Sequence, residues 1–309
     1  MESTHRGAWA VVQLDESGSS TVIDSQGDPD QPIFARSAMK GLQALPLLET
    51  GAAEAFGLSD AEIALACASH SAEPQHVRLV QQMLARGNLA EEHLGCGPTT
   101  AWDSGPAGPR RRVFHCCSGK HASMLLAAQH LGDAPANYLH TESCEQQAVF
   151  GAVADMTGAE LFGAIDGCSA PTFLMPLSGL ATGIARLCTP ASLSPERAAA
   201  CERITNAAVT NPEMIGGSRG RSDTDLMKAT SGRIFAKLGA EGVFVVGEHR
   251  TGKALAINID DGSPRGFHAL CLEILHRHQM LSAAELVPLA SWADRTIRNA
   301  EGTVTGRIV

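Results

Sequence analysis

Near the front of the chain apolar residues fill AWAVVQL at 8–14, a polar Asp-Glu-Ser-Gly follows at 15–18, and STVID stands at 20–24. A strand, a turn and a second strand fit this order, which predicts an opening β-hairpin before a polar loop at 25–32. Residues 38–49 (AMKGLQALPLLE) then switch to helical spacing, with Ser37 suited to the N-cap and Pro46 disturbing the later turns. A capped helix at 59–67 and an amphipathic one at 73–86 come next, joined through Ser69-His70-Ser71. The Gly-, Pro- and charge-rich stretch 97–112 is the clearest internal break and reads as a surface connection.

Helical patterns return at 120–131, 142–156 and 195–209, the last opened by Ser194 as cap and Pro195 in the first turn. From 232 onward GRIFAKLG, GVFVVGEH and ALAINID read as three strands joined by Gly-containing turns, before a last helix at 264–280. No segment repeats at a fixed period. The simplest arrangement is α+β: a mixed sheet from both chain ends with a helical middle at about 38–231, forming one unit over 1–309.

Composition narrows the function. At 309 residues, 44% hydrophobic and 18% charged, the chain can bury a full core without disulfide support. A net charge of −9 disfavours nucleic acid and anionic membrane surfaces, and no segment has the length of a membrane-spanning helix. The first residues carry no basic and apolar leader pattern, which makes the cytoplasm the expected location. Nine Cys suit a reducing compartment, most of them as small core residues or metal ligands. With 4% aromatics and one Tyr, a small polar ligand fits better than stacked bases.

Ser37 and Lys40 are the first residues whose spacing suggests chemistry. A serine hydroxyl needs a base, and a lysine one turn away can serve if burial or a second cation such as Arg36 loosens its proton. Alone, the four-residue pattern better fits a capping serine and a solvated lysine. Lys237-Leu238-Gly239 on an expected strand adds weight, because Ser-x-x-Lys with a later Lys-x-Gly is the arrangement of serine β-lactamases and penicillin-binding proteins. A Ser-Asp-Asn element is absent, which counts against a β-lactam substrate and leaves Ser69 as the candidate middle serine. Cys117, Lys120 and His121, with Asp166 and Cys168, match no zinc-finger spacing, so core thiols are the first reading from the residues alone.

Read together, HRG at 5–7, RSAMKGLQALP at 36–46, CASHSAEPQH at 67–76, CCSGKHASML at 116–125, DGCSAPTF at 166–173 and AKLGAEGV at 236–243 resemble the asparaginase II family, the Rhizobium-type L-asparaginases. The similarity runs nearly end to end and keeps the motif order. It implies a serine β-lactamase/glutaminase-like fold, a homodimer, and hydrolysis of L-asparagine to L-aspartate and ammonia. It also implies two Ser–Lys pairs, Ser37 with Lys40 and Ser69 with Lys237, and a zinc ion on Cys117, Lys120, Cys168 and a water.

Which serine is acylated stays open at this point; the chemically simpler choice is Ser37 with Lys40 as base, while Ser69 and Lys237 carry protons to ammonia. Arg36 either binds the substrate carboxylate or caps nearby carbonyls, and Asp166 suits the substrate ammonium. His70 either orients Ser69 or is a structural loop residue, and His121 is a further candidate for substrate contact. Cys116 is expected to pack, Met214 and Ile215 to lie in the core, and the run 216–221 (GGSRGR) to form a flexible edge, since it lacks a P-loop ending. A glutaminase or a non-catalytic zinc-dependent binding protein are the competing readings, and a secreted β-lactam hydrolase would need an export signal.

Overall fold

The computed structural model describes residues 4–101, 104–105 and 107–308. The chain ends do build one sheet, in the order Ser20–Gln26, Gly7–Leu14, Lys253–Ile259, Val243–Glu248, Ile234–Leu238. The expected mixed sheet is corrected in one respect. Every pairing in it is antiparallel, because the strands are joined by hairpin-type returns and the two terminal segments meet head to tail.

The period of two along these strands decides what faces the helices. A Cβ added to Gly247 would lie 2.5 Å from Cys188 Sγ and 2.9 Å from Ile184 Cγ2, so this face packs tightly on helix Leu177–Cys188. Phe235 pairs with Gly247 and Lys237 with Val245, which puts Lys237 on that same inward face. The opposite face is covered by Phe267, whose ring stacks on Phe244 at 5.3 Å just ahead of helix His268–Arg277. Among the described residues, no helix is long and apolar enough to cross a membrane.

Local signals hold where caps announce them. Helix Asp60–Ala66 begins on Ser59, whose backbone N–H and hydroxyl both donate to Glu62, and Arg86 adds an ion pair to the same carboxylate. Helices Pro74–Arg86, Ser118–His130, Cys144–Thr157 and Pro195–Thr210 likewise match expectation to within a few residues. The last expected helix is shorter, His268–Arg277 behind a 3-10 turn. The connection 97–112 includes the small pairing of Thr99–Thr100 with Arg110–Arg111, while residues 102, 103 and 106 of it lie outside the described set.

Two features depart from the sequence reading. The helix expected at 38–49 is broken into a 3-10 turn Arg36–Met39 and short α segments Lys40–Gln43 and Leu45–Glu49. Ser37 therefore sits inside the 3-10 turn and is not an N-cap. The second departure is the region 158–194, where no strand or helix is assigned from the sequence pattern. It holds strands Phe162–Ile165 and Pro171–Pro176, which pair with each other and with Pro32–Phe34, and helix Leu177–Cys188. That helix is buried nearly all round, and Gly179 and Gly183 within it weaken its helical signal in the sequence.

Helix Cys144–Thr157 carries a built-in pH response. Glu145 is buried in its first turn, and Oε2 finds no partner among the described residues. Burial, with Asp133 beside it, pushes the carboxyl up to about 8. A carboxyl raised on folding gives stability that is intact below its unfolded value, near 4.5, and lost as pH climbs towards 8. Glu145→Gln should therefore melt progressively higher than the parent as pH rises through that window. Melting curves that keep a constant offset would contradict this.

Candidate active site

The inward-facing Lys237 meets the helical middle at Ser69. Lys237 Nζ lies 3.0 Å from Ser69 Oγ and donates to Leu238 O at 2.6 Å. Lys40 Nζ approaches the same hydroxyl from the other side at 3.0 Å, donates to Ala68 O at 2.5 Å, and lies 3.2 Å from Cys117 Sγ. Both lysines are fully buried. One hydroxyl is thus held between two amines, and the expected division into separate pairs becomes a single chain of groups.

Ser37 stands one 3-10 turn before Lys40, whose backbone N–H donates to Ser37 O. Residues at i and i+3 eclipse in such a turn, so the two side chains share a face. The Ser37 hydroxyl is half-buried and makes no hydrogen bond to a described residue. Arg36, just ahead of it, adopts φ +50°, a strained conformation for a residue with a Cβ. The glycine of Lys-x-Gly is explained here as well. A Cβ on Gly239 would lie 3.1 Å from Ala38 N, so a larger residue would push the Lys237 strand off the Ser37 turn.

The strained turn aims Arg36 at Asp166: Nε donates to Oδ1 at 2.7 Å. Asp166 Oδ1 also accepts from Gly167 N–H at 2.8 Å, which leaves Oδ2 beside Cys168 Sγ at 3.8 Å. A guanidinium and a carboxylate side by side offer complementary charges to a zwitterion.

Burial sets the charges of the two lysines differently. Lys237 is lowered to about 7, first by desolvation and then by the positive charges of Lys40 and Arg221, against the pull of Asp223 and Cys117. For Lys40, desolvation also disfavours the ammonium, yet the sulfurs of Cys117, Cys116 and Cys168 outweigh it and its pKa is raised. Cys117 is correspondingly held well below the usual thiol value by hydrogen bonding from Cys116 and Cys168 and by the charge of Lys40.

Cys117, Lys120 and Cys168 do converge. Lys120 Nζ lies 3.3 Å from Cys168 Sγ, and both thiols and the amine are buried. Zinc–sulfur bonds of about 2.3 Å and zinc–nitrogen bonds of about 2.0–2.1 Å in a tetrahedron span a similar nitrogen–sulfur separation, so this donor set fits zinc. His115 and Cys116 join Cys117 in a neighbouring cluster whose potential ligand atoms lie within 4.8 Å of one another. The expectation that Cys116 packs in the core is corrected: it is exposed, with its sulfur 3.7 Å from Cys117 Sγ, because residue 116 precedes the buried helix start.

The two candidate histidines are both buried and bonded to neighbouring protein groups. His70 is buried, with Nδ1 accepting from Ala72 N–H at 3.1 Å and Nε2 2.9 Å from Ser118 Oγ, while its ring stacks on His76 at 5.1 Å. Since Nδ1 accepts, Nε2 carries the proton and donates to Ser118, whose hydroxyl passes on to Val113 O. Desolvation holds the ring neutral, and His70 braces the loop behind Ser69. His121 Nδ1 meets Tyr138 OH at 2.6 Å, that oxygen accepts from Gly95 N–H, and the buried Nε2 of His121 has no partner among the described residues.

Sequence reasoning missed Arg221 and Asp223. Arg221 donates to Ser69 O at 2.7 Å and Gly216 O at 2.8 Å, and it lies 3.5 Å from Asp223. The run 216–221 is thus an anchored support at its end rather than a free edge. Only the pairing of Arg and Asp two residues apart hinted at this. Met214 and Ile215 are buried as expected.

An antiparallel sheet covered by helices, with a hydroxyl clasped by two buried lysines beside an Arg–Asp pair and a thiol pair, defines an α+β protein with a preorganised polar centre. A family model described as L-asparaginase II matches residues 1–309, and the chain belongs to that family. Membership points to an amidohydrolase with L-asparaginase activity. Comparison with curated proteins finds no match.

Proposed function

We propose that this chain hydrolyses L-asparagine to L-aspartate and ammonia through an acyl-enzyme on Ser37. The observation that carries the reading is the Ser69 hydroxyl set 3.0 Å from both Lys40 and Lys237. A hydroxyl bonded on both sides to amines is built to pass protons, whereas the unencumbered Ser37 hydroxyl has a lone pair and access for attack. Lys40 takes the Ser37 proton as Oγ adds to the side-chain amide carbon. The oxyanion accepts from Ser37 N–H, one of the first-turn donors that lack an intrahelical partner. As the C–N bond breaks, Ser69 gives its proton to the leaving nitrogen and refills it from Lys237. Water then attacks the ester, returning its proton along the same amines, and aspartate leaves.

Substrate placement follows from the charged pair. Arg36 Nη2 suits the α-carboxylate, Nη1 lying 3.8 Å from exposed Glu241, and Asp166 Oδ2 suits the α-ammonium, which leaves the side-chain amide to reach Ser37. Cys117, Lys120 and Cys168 would hold zinc, whose positive charge takes up the thiolate charge that otherwise keeps the Lys40 proton in place. A homodimer is supported by exposed Phe162 and Ile165 on an outer strand and Phe34 across the same small sheet.

Ammonia release from asparagine, glutamine and a β-lactam, with and without added zinc, tests this reading. Asparagine should be turned over, and chelated enzyme should keep measurable kcat with a raised KM. Absence of ammonia from asparagine would overturn the activity. Loss of all kcat at unchanged KM on chelation would overturn the supporting place given to zinc. Glutamine turnover within an order of magnitude would favour a glutaminase, since one methylene is worth only about 1–3 kcal/mol.

A further inference from the structure

Asp223 is a fully buried carboxylate that the steps above do not use. It lies in the first turn of helix Ser222–Ala229, held in place on several sides. Oδ1 accepts from Thr224 N–H at 3.1 Å, and Oδ2 accepts from Leu238 N–H at 3.3 Å. Oδ2 also lies 3.5 Å from Arg221 and 3.8 Å from Lys237 Nζ. A Cβ on Gly216 would come within 2.8 Å of Oδ1, so the backbone closes over the carboxylate from the other side. The same Arg221 grips Ser69 O at 2.7 Å. Arg221 and Asp223 therefore reach both ends of the Ser69–Lys237 contact, the main chain of one partner and the ammonium of the other.

We propose that Asp223 is a positioning residue that keeps Lys237 charged and aimed at Ser69 for delivery of a proton to the departing ammonia. This rests on the assignment of Ser69 and Lys237 to the proton path. At 3.8 Å the carboxylate is a counter-charge and not a hydrogen-bond acceptor for Lys237, so it favours the ammonium without removing the proton. The ammonium keeps its donors for Leu238 O and Ser69 Oγ. In the step itself one proton moves from Lys237 Nζ to Ser69 Oγ while the hydroxyl proton passes to the leaving nitrogen, so Ser69 is unchanged and Lys237 ends neutral.

The other groups facing Lys237 are Lys40, Arg221, Cys117, Cys116 and Cys67, and His268 faces Asp223 from helix His268–Arg277. Lys40 and Arg221 push the proton off Lys237; Asp223 is the carboxylate that opposes them. Without it Lys237 would sit as a neutral amine between two cations at the pH where it must give a proton.

The test pairs two substitutions of opposite sign. Asp223→Asn keeps the shape and removes the charge, and the alkaline limb of kcat against pH should move down by about one pH unit or more. Arg221→Gln removes an opposing cation, and the same limb should move up. Lysine Cε NMR titration of the full chain, followed at the Lys237 resonance, reads the same shifts without any turnover. A purely structural effect would move both variants the same way or leave the Lys237 titration in place, and either result overturns the proposal.

For a variant that does not fold, the parent protein supplies the remaining check. Its Lys237 titration should stay put as salt rises, because the groups that set it are buried, and a salt-dependent midpoint overturns the proposal. If asparagine releases no ammonia yet Lys237 titrates as expected, the proposed activity has failed and the charge pairing stands.

Discussion

Ser37→Ala is expected to lower kcat for asparagine by roughly 10³–10⁶-fold, as removal of a covalent nucleophile does, with little change in KM. The reason is the Ser37 hydroxyl, without a hydrogen bond to a described residue, on the strained turn after Arg36 and next to the Arg36–Asp166 pair proposed to hold the zwitterion. Ser69→Ala should cost less, on the order of 10²–10⁴-fold, since it removes a proton carrier and leaves the attacking atom in place. Acid-quenched enzyme digested after mixing with asparagine should carry the aspartyl group on the peptide containing Ser37. Near-parental turnover of Ser37→Ala, or an adduct on the Ser69 peptide, would transfer the nucleophile to Ser69.

Lys40→Met removes the amine that touches Ser69 Oγ, Ala68 O and Cys117 Sγ while keeping most of the buried volume. The expected loss in kcat is about 10³-fold, in the range for a positioned general base, whereas KM should change little because Arg36 and Asp166 bind the substrate's α-groups. Steady-state kinetics separates the two constants. A raised KM with intact kcat would reassign Lys40 to binding. A circular dichroism melt close to that of the parent would show that the loss is chemical and not structural.

Much of this site could be read before the fold was known, though by different routes. Ser59, Ser194 and Pro195 mark helix starts through contacts spanning a few residues, so spacing alone locates them. The Ser-x-x-Lys and Lys-x-Gly elements were legible as residues, and family resemblance gave them weight. The region 158–194 was not legible. Helix Leu177–Cys188 is buried on most sides, and Gly183 within it exists because Leu42 and Thr157 approach to about 3 Å of where a Cβ would stand. Asp223 was equally hidden, being one of many acidic residues until its neighbours were assembled around it. Cys116 went the other way, since a thiol beside a buried thiol looks like core until the helix start turns it outward.

The sequence by itself determined which side chains were available for chemistry and where most capped helices and terminal strands begin, because those signals are short-range. Only the tertiary structure decided which hydroxyl the lysines meet. Ser69 is 29 residues from Lys40 and 168 from Lys237, and no local spacing relates them. It also decided their charge, since desolvation and the fields of Asp223, Arg221 and Cys117 arise only when the chain brings these groups together out of water. The Ser37–Lys40 pair, local in sequence, is completed by Ser69 through packing.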